Sequence, residues 1–173
     1  MKSLHRHSRP GFTVRKSKDI IDIDKAKNYI FKLLGQRDYP EQGLARKLEE
    51  KGCPPQIISQ AIRYFKKHDF VDDKKFAYAY ARNRINYKPR GRYLLDHELQ
   101  KKGIDKFLRS EVIKKVYSEK SEEELIGQVL KKKYGKILKS REFMARACRF
   151  LVRRGFSVQA ISSVFSKKGN INE

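Results

Sequence analysis

Histidines, cysteines and paired carboxylates are the side chains that could do covalent or metal chemistry, and their spacing in this chain argues against it. His5, His7, His68 and His97 are not spaced as metal ligands with cysteines or carboxylates, and no H-E-x-x-H is present. His5-x-His7 could hold a metal only weakly. Cys53 and Cys148 stand alone without CxxC spacing, at or beside apolar-periodic positions, and are read as two buried, reduced thiols. Adjacent Asp72 and Asp73 could bind magnesium, yet they fall where a helix begins, and a short carboxylate there caps free N–H groups. No G-x-x-x-x-G-K-[ST] loop offers a backbone cradle for a triphosphate. We expect no enzyme, no cofactor and no metal.

Positive charge is the chemistry that remains. The 173 residues carry 42 Lys and Arg against 20 Asp and Glu, a formal charge of +22, which would self-repel strongly without a polyanionic or acidic partner. Residues 22–71 have ten basic against seven acidic side chains, 72–120 fourteen against seven, and 121–173 twelve against five. The field therefore belongs to the last two thirds. There Arg82, Arg84, Lys88, Arg90 and Arg92 surround a Pro89-Arg90-Gly91 turn, Lys101 and Lys102 precede a glycine, and Arg146, Arg149, Arg153 and Arg154 precede another. Arg146, Arg149 and Arg153 are three and four apart, so they line one helix face without acidic neighbours at i+4. These eleven residues are the candidate partner- or DNA-binding set. The Lys88–Arg92 connector is expected to present its basic side chains together to one acidic surface. Tyr87 and Tyr93 flank that connector and are open to ligand contact, whereas Phe76 and Tyr80 have core spacing.

Helices must position these groups. Ala26, Tyr29, Ile30, Leu33 and Leu34 share one helical face, with Asp22 or Asp24 as cap. Gly52, Gly103 and Gly155 lie 51 and 52 residues apart, each with Leu48, Leu99 or Leu151 four residues before it. Lys51, Lys102 or Arg154 immediately precedes each glycine, and Cys53, Ile104 or Phe156 follows it. Nine and ten residues later come the pairs Ala61 and Ile62, Val112 and Ile113, Val164 and Phe165. Each glycine suits the left-handed residue that closes a helix, with the basic residue at the negative end of the dipole. Further periodic helices run from Asp24 to Gln36, Asp72 to about Tyr87 and Ser121 to about Tyr134, with Asp72 and Ser121 as caps.

The expected fold is all-α, tandem three-helix repeats forming an elongated curved bundle. Its parts are a basic flexible tail at 1–21 and repeats at 22–71, 72–120 and 121–173. No period-two pattern supplies a sheet. No stretch approaches the roughly 20 apolar residues of a membrane span, and no signal-peptide core is seen, so a cytoplasmic protein is expected, and its charge argues for a monomer.

At this point the residues resemble a known family. Arg37-Asp38-Tyr39 followed by Leu44-Ala-Arg-Lys-Leu48 is similar to the RDxSExELxxKL opening of RecX regulatory proteins. Phe70-Val-Asp-Asp-Lys-Lys-Phe76-Ala is similar to their [YF][LIV]DDxRFA, and Glu98-Leu-Gln-Lys-Lys-Gly-Ile104 to their ELxxKGI. Lys133-Tyr134-Gly135 matches their KYG segment and Phe150-Leu-Val-Arg-Arg-Gly-Phe156 their FLxRRGF. Pro40 stands where that family usually has a Ser or Thr cap, and Gly43 where a helix former is common. The resemblance implies three tandem three-helix repeats that lodge in the groove of a RecA filament. It also implies inhibition of the ATPase, recombinase and coprotease activities of RecA, in DNA repair, homologous recombination and the SOS response, with single- or double-stranded DNA as a further contact. A stand-alone helical DNA- or RNA-binding protein is the alternative, and it would want short polar residues at the start of each recognition helix.

Overall fold

The structure, a computed structural model, describes residues 22–135 and 141–169. The expected tail at 1–21, with His5 and His7, lies outside the described residues. Nine helices and no strand are found among those described. The first three are α1 (Ile23–Leu34), α2 (Glu41–Glu49) and α3 (Pro55–Lys67). The next three are α4 (Asp73–Tyr87), α5 (Arg92–Lys101) and α6 (Lys106–Glu119), and the last are α7 (Glu122–Tyr134), α8 (Arg141–Arg153) and α9 (Val158–Gly169). In each set the third helix packs against the other two. The fold is therefore all-α, built from tandem three-helix units.

Carboxylates and a hydroxyl start the helices. The Asp22 side chain accepts from the Asp24 N–H at 2.9 Å, which settles the choice between Asp22 and Asp24 as cap. Asp72 accepts from the N–H groups of Lys74 and Lys75, and these bonds hold its carboxyl below the usual carboxylate range. Ser121 caps α7 through Glu124 N–H, and Asp105 does the same for α6.

The glycine repeat has a specific cause. Gly52, Gly103 and Gly155 have φ of 70°, 86° and 79°. After each, the next residue donates its N–H back across the turn: Cys53 to Leu48 O at 3.1 Å, Ile104 to Leu99 O and Phe156 to Leu151 O, both at 3.2 Å. The glycines themselves donate to Glu49 O, Gln100 O and Val152 O, each at 2.9 Å. Together these bonds form the Schellman closure, whose apolar contact joins the residue after the glycine to the one four before it. Leu48, Leu99 and Leu151 are fully buried, and Cys53, Ile104 and Phe156 nearly so. Burial of each such leucine is worth roughly 1.5–3 kcal/mol. Asp69, with φ 57°, closes α3 in the same way, and Phe70 donates to Phe65 O at 3.0 Å.

The two departures from the family pattern explain each other. Pro40 is the N-cap residue of α2 and makes no side-chain cap bond. A Cβ on Gly43 would lie 3.1 and 3.2 Å from Cδ and Cγ of the Pro40 ring. A proline there leaves tight space for any side chain at 43, so the helix accepts glycine and its cost of up to about 1 kcal/mol.

Two cores form. Ala26, Ile30, Leu44, Leu48, Ile62 and Phe65 belong to one built by α1–α3, while residues from Ala77 to Val164 make a single core spanning α4–α9. Cys53 is buried, and burial pushes its thiol pKa up; Cys148, expected to be buried, is only half-buried, and both thiols are free. Its place on α8, one position beyond the fully buried Ala147, leaves it at the edge of the core.

The units meet through one joint used twice. At the first, Asp73 Oδ1 accepts the N–H of Glu41, the first residue of α2, at 2.8 Å, and Gly103 seats against the side chain of Gln42. At the second, Glu122 Oε1 accepts the N–H of Arg92, the first residue of α5, at 3.0 Å, and Gly155 seats against Leu94. A carboxylate at the start of one unit thus caps the second helix of the unit before it. The closing glycine of the later unit packs on that same helix start.

Candidate functional site

The second joint governs the candidate basic residues. The Lys88–Arg92 connector is not freely presented: Gly91 N–H donates to Arg154 O at 2.8 Å, and Tyr93 N–H to Gly155 O at 3.1 Å. Arg154 Nη1 donates to Pro89 O at 3.3 Å, and the Tyr117 hydroxyl to Arg90 O at 2.8 Å. Burial pushes the Tyr117 hydroxyl pKa well up, so it stays a donor.

Two of the three basic side chains of the connector meet acidic partners within the chain. Arg92 Nε donates to Glu122 Oε2 at 2.9 Å, and Glu122 is 2% exposed. The same carboxylate accepts from Ser157 Oγ at 2.7 Å and from Ser157 N–H at 3.3 Å. Arg90 faces Glu98 at 3.4 Å, and Arg84 pairs with the same Glu98 at 2.8 Å while donating to the Tyr80 hydroxyl. Arg82 pairs with Glu119 at 3.3 Å. Apart from the Arg90–Glu98 pair, these acidic partners lie 14 to 37 residues away in sequence, far beyond the i±4 reach of a helix.

Other members of the set remain outside ion pairs. Lys88 and Lys101 are exposed, and Lys102 sits over the Tyr80 ring at 5.6 Å. Arg146, Arg149 and Arg153 are exposed along one face of α8, with no acidic partner among the described residues. Beside that row, Phe150 of α8 and Arg154 just past its end line a cleft of about 590 Å³ between the end of α4 and helices α7 and α8. Lys88, Arg90, Lys132, Lys133 and Arg154 line it, together with Tyr87 and Phe150, and no acidic side chain is among its described lining residues.

Three features of the set escaped sequence reasoning. Lys132 and Lys133 lie in a basic run at the end of α7, and only the fold brings them to Lys88 and Arg90 around the cleft. Glu122 shares the acidic first turn of α7 with Glu123 and Glu124, where sequence alone reads a charge that complements the helix start. A signal for it existed, because Glu122 falls in register with Leu125, Ile126, Val129 and Leu130 on the buried face of α7. Tyr87, by contrast, was marked and is 75% exposed at the cleft mouth, while Tyr93 is 63% exposed. Phe76 and Tyr80 stack at 5.9 Å against the core, as their spacing indicated.

Among the described residues no group of His, Cys, Asp or Glu could hold a metal ion, and no helix is long and apolar enough to cross a membrane. What the geometry offers is charge: an open arginine row and a basic cleft, braced by a joint.

Similar proteins share this architecture. Family models for the first, second and third three-helix domains of RecX match residues 26–65, 72–113 and 121–165. The regulatory protein RecX of Caldanaerobacter subterraneus subsp. tengcongensis is 28% identical over 84% of this chain and 72% of its own length. That of Bacillus velezensis is 32% identical over 84% of this chain, which spans only 56% of that longer protein. The crystal structure of RecX from Lactobacillus salivarius superposes with a TM-score of 0.72 at 23% identity, covering 84% of this chain and 95% of that one, a likeness of fold. With three consecutive domain models matched in order on nine helices, this chain belongs to the RecX family of regulatory proteins.

Proposed function

We propose that this protein binds the RecA nucleoprotein filament as a cytoplasmic, monomeric, non-catalytic regulator without a cofactor. In this role it slows the ATPase, recombinase and coprotease activities of RecA, and its basic surfaces add contact to DNA. The observation that carries the proposal is the α8 row: Arg146, Arg149 and Arg153 are exposed, with no ion-pair partner among the described residues, in a family of regulatory proteins. Arg82, Arg84 and Arg92 meet Glu119, Glu98 and Glu122 within the chain, and the exposed α8 row is by contrast suited to an acidic or phosphate-bearing partner. Lys88, which shares a cleft with Phe150 and Arg154, would extend that surface, and Lys101 would add a separate basic contact.

The alternative of a stand-alone DNA- or RNA-binding helical module has less support. The third helices begin with Pro55-Gln56, Lys106-Phe107 and Val158-Gln159, which is no consistent set of short polar base-reading side chains.

Co-sedimentation with RecA, with and without single-stranded DNA and across a salt series, separates the two. Retention on RecA filaments above that on bare DNA, persisting at salt that strips the protein from bare DNA, is the expected outcome. Equal retention on bare DNA and on filaments at every salt would leave only the nucleic-acid module.

A further inference from the structure

The cleft between α4, α7 and α8 has a chemistry that internal contacts do not use up. Arg90 Nε is buried and makes no hydrogen bond; it lies 3.4 Å from Glu98 Oε1, an ion-pair distance at which the geometry closes no bond. Glu98 is already engaged by Arg84 at 2.8 Å and by the Tyr80 hydroxyl at 3.0 Å. Arg154 stands beside Arg90, and burial, then the Arg90 charge, lower its pKa from the ordinary guanidinium value. Lys133 lies over the Phe150 ring at 3.5 Å with Arg154 over the same ring at 4.8 Å. Lys88 and Lys132 complete the lining.

Lys88, Lys132, Lys133 and Arg154 share this concavity with Arg90, whose charge Glu98 offsets, and no carboxylate is among the described lining residues, so an entering anion would relieve the repulsion of the four. The volume of about 590 Å³ falls in the range of small-molecule sites and is too confined for a duplex to be read there. Tyr87, 75% exposed at its edge, offers a bare ring face. Guanidinium forks, ammonium groups and an aromatic platform together match a nucleotide, which carries a phosphate at one end and a stacking base at the other.

We propose that this cleft is a receptor for one nucleotide unit, its phosphate held by Arg154, Lys132, Lys133 and Lys88 and its base stacked on Tyr87. The unit is either a link of a single strand or a free nucleotide. The proposal refines the DNA contact proposed above and does not depend on RecA.

It is tested with the full chain and no recombinase, by fluorescence anisotropy of a labelled oligothymidylate at low salt. Three variants are compared: Lys132→Ala with Lys133→Ala, Tyr87→Ala, and a charge-matched control, Lys25→Ala with Lys32→Ala, on the exposed side of α1. Circular dichroism confirms that each remains helical. The cleft lysine variant should weaken binding about tenfold more than the control, and should lower the slope of log affinity against log salt by about 1 to 2. Tyr87→Ala should weaken it about fivefold or more with the salt slope unchanged.

Competition then identifies the source. Displacement of the oligonucleotide by adenosine monophosphate at concentrations where inorganic phosphate has no effect supports a free-nucleotide receptor. Displacement only by unlabelled oligonucleotide supports a strand link. Equal losses in the cleft and control lysine variants, with Tyr87→Ala indistinguishable from wild type, would overturn the proposal by showing binding to the general field of the protein. Co-sedimentation with RecA would still decide the regulatory proposal separately.

Discussion

Replacing Gly91 with alanine is expected to lower the stability of the chain by about 3 kcal/mol, the upper part of the range for overpacking a close contact. Gly91 has φ −81°, a backbone that alanine adopts without strain, so the effect isolates the joint from the conformation of the turn. A Cβ at this position would fall on backbone atoms of Gly155 and Phe156. Those atoms cannot swing aside as a side-chain tip could, since Gly155 is held in the closure of α8 and also accepts from Tyr93 N–H. The Gly91 bond to Arg154 O would be stretched, and Arg92 would be pulled from Glu122. Gly127 is the matching control: it lies inside α7 with nothing within 4 Å of a Cβ, so Gly127→Ala should stabilise by about 0.5–1 kcal/mol. Urea unfolding of both variants reads the contrast. Equal stability of Gly91→Ala and wild type would mean that the α5 start and the α8 end do not pack as described.

Reversal of Arg149 and Arg153 to glutamate is the second large effect. Both are exposed on α8 and have no ion-pair partner among the described residues, so stability should change by about 0.5 kcal/mol or less. Binding to RecA filaments on DNA should fall by about tenfold or more at low salt. If the two arginines meet phosphates, the slope of log affinity against log salt falls by about 1.8. Arg92→Glu makes an instructive contrast, because it sets a carboxylate against the buried Glu122 and should unfold the joint before any binding is measured. For the same reason, a loss of potency in an Arg90→Ala, Arg92→Ala double variant would report a loosened joint as well as a lost contact. Unchanged filament binding by Arg149→Glu with Arg153→Glu would remove α8 from the interface.

Local chemistry was legible and tertiary pairing was not. The Leu-x-x-x-Gly-apolar spacing at Gly52, Gly103 and Gly155 encodes one hydrogen-bonded closure, complete within six residues, and sequence carries it directly. Asp72 and Ser121 could be named as caps because a cap acts on N–H groups two or three residues away. The arginines behaved differently. Arg92 has Asp96 at i+4, yet Asp96 pairs with Arg109 and Arg92 finds Glu122 30 residues on, while Arg149 meets no acidic side chain among the described residues. The difference arises from how the third unit docks on the second, a relation set by glycines whose close approach to neighbouring helices is absent from any local pattern. Charge counting therefore located the basic half of the molecule and overstated how much of it is free.

The proposed restraint of RecA is read out by ATP hydrolysis. RecA assembled on single-stranded DNA should hydrolyse ATP more slowly when the protein is added at well below one copy per RecA. The Arg149→Glu, Arg153→Glu variant should need a higher concentration to reach the same slowing. Hydrolysis that continues at the unrestrained rate even at protein ratios that saturate the filament would contradict the account.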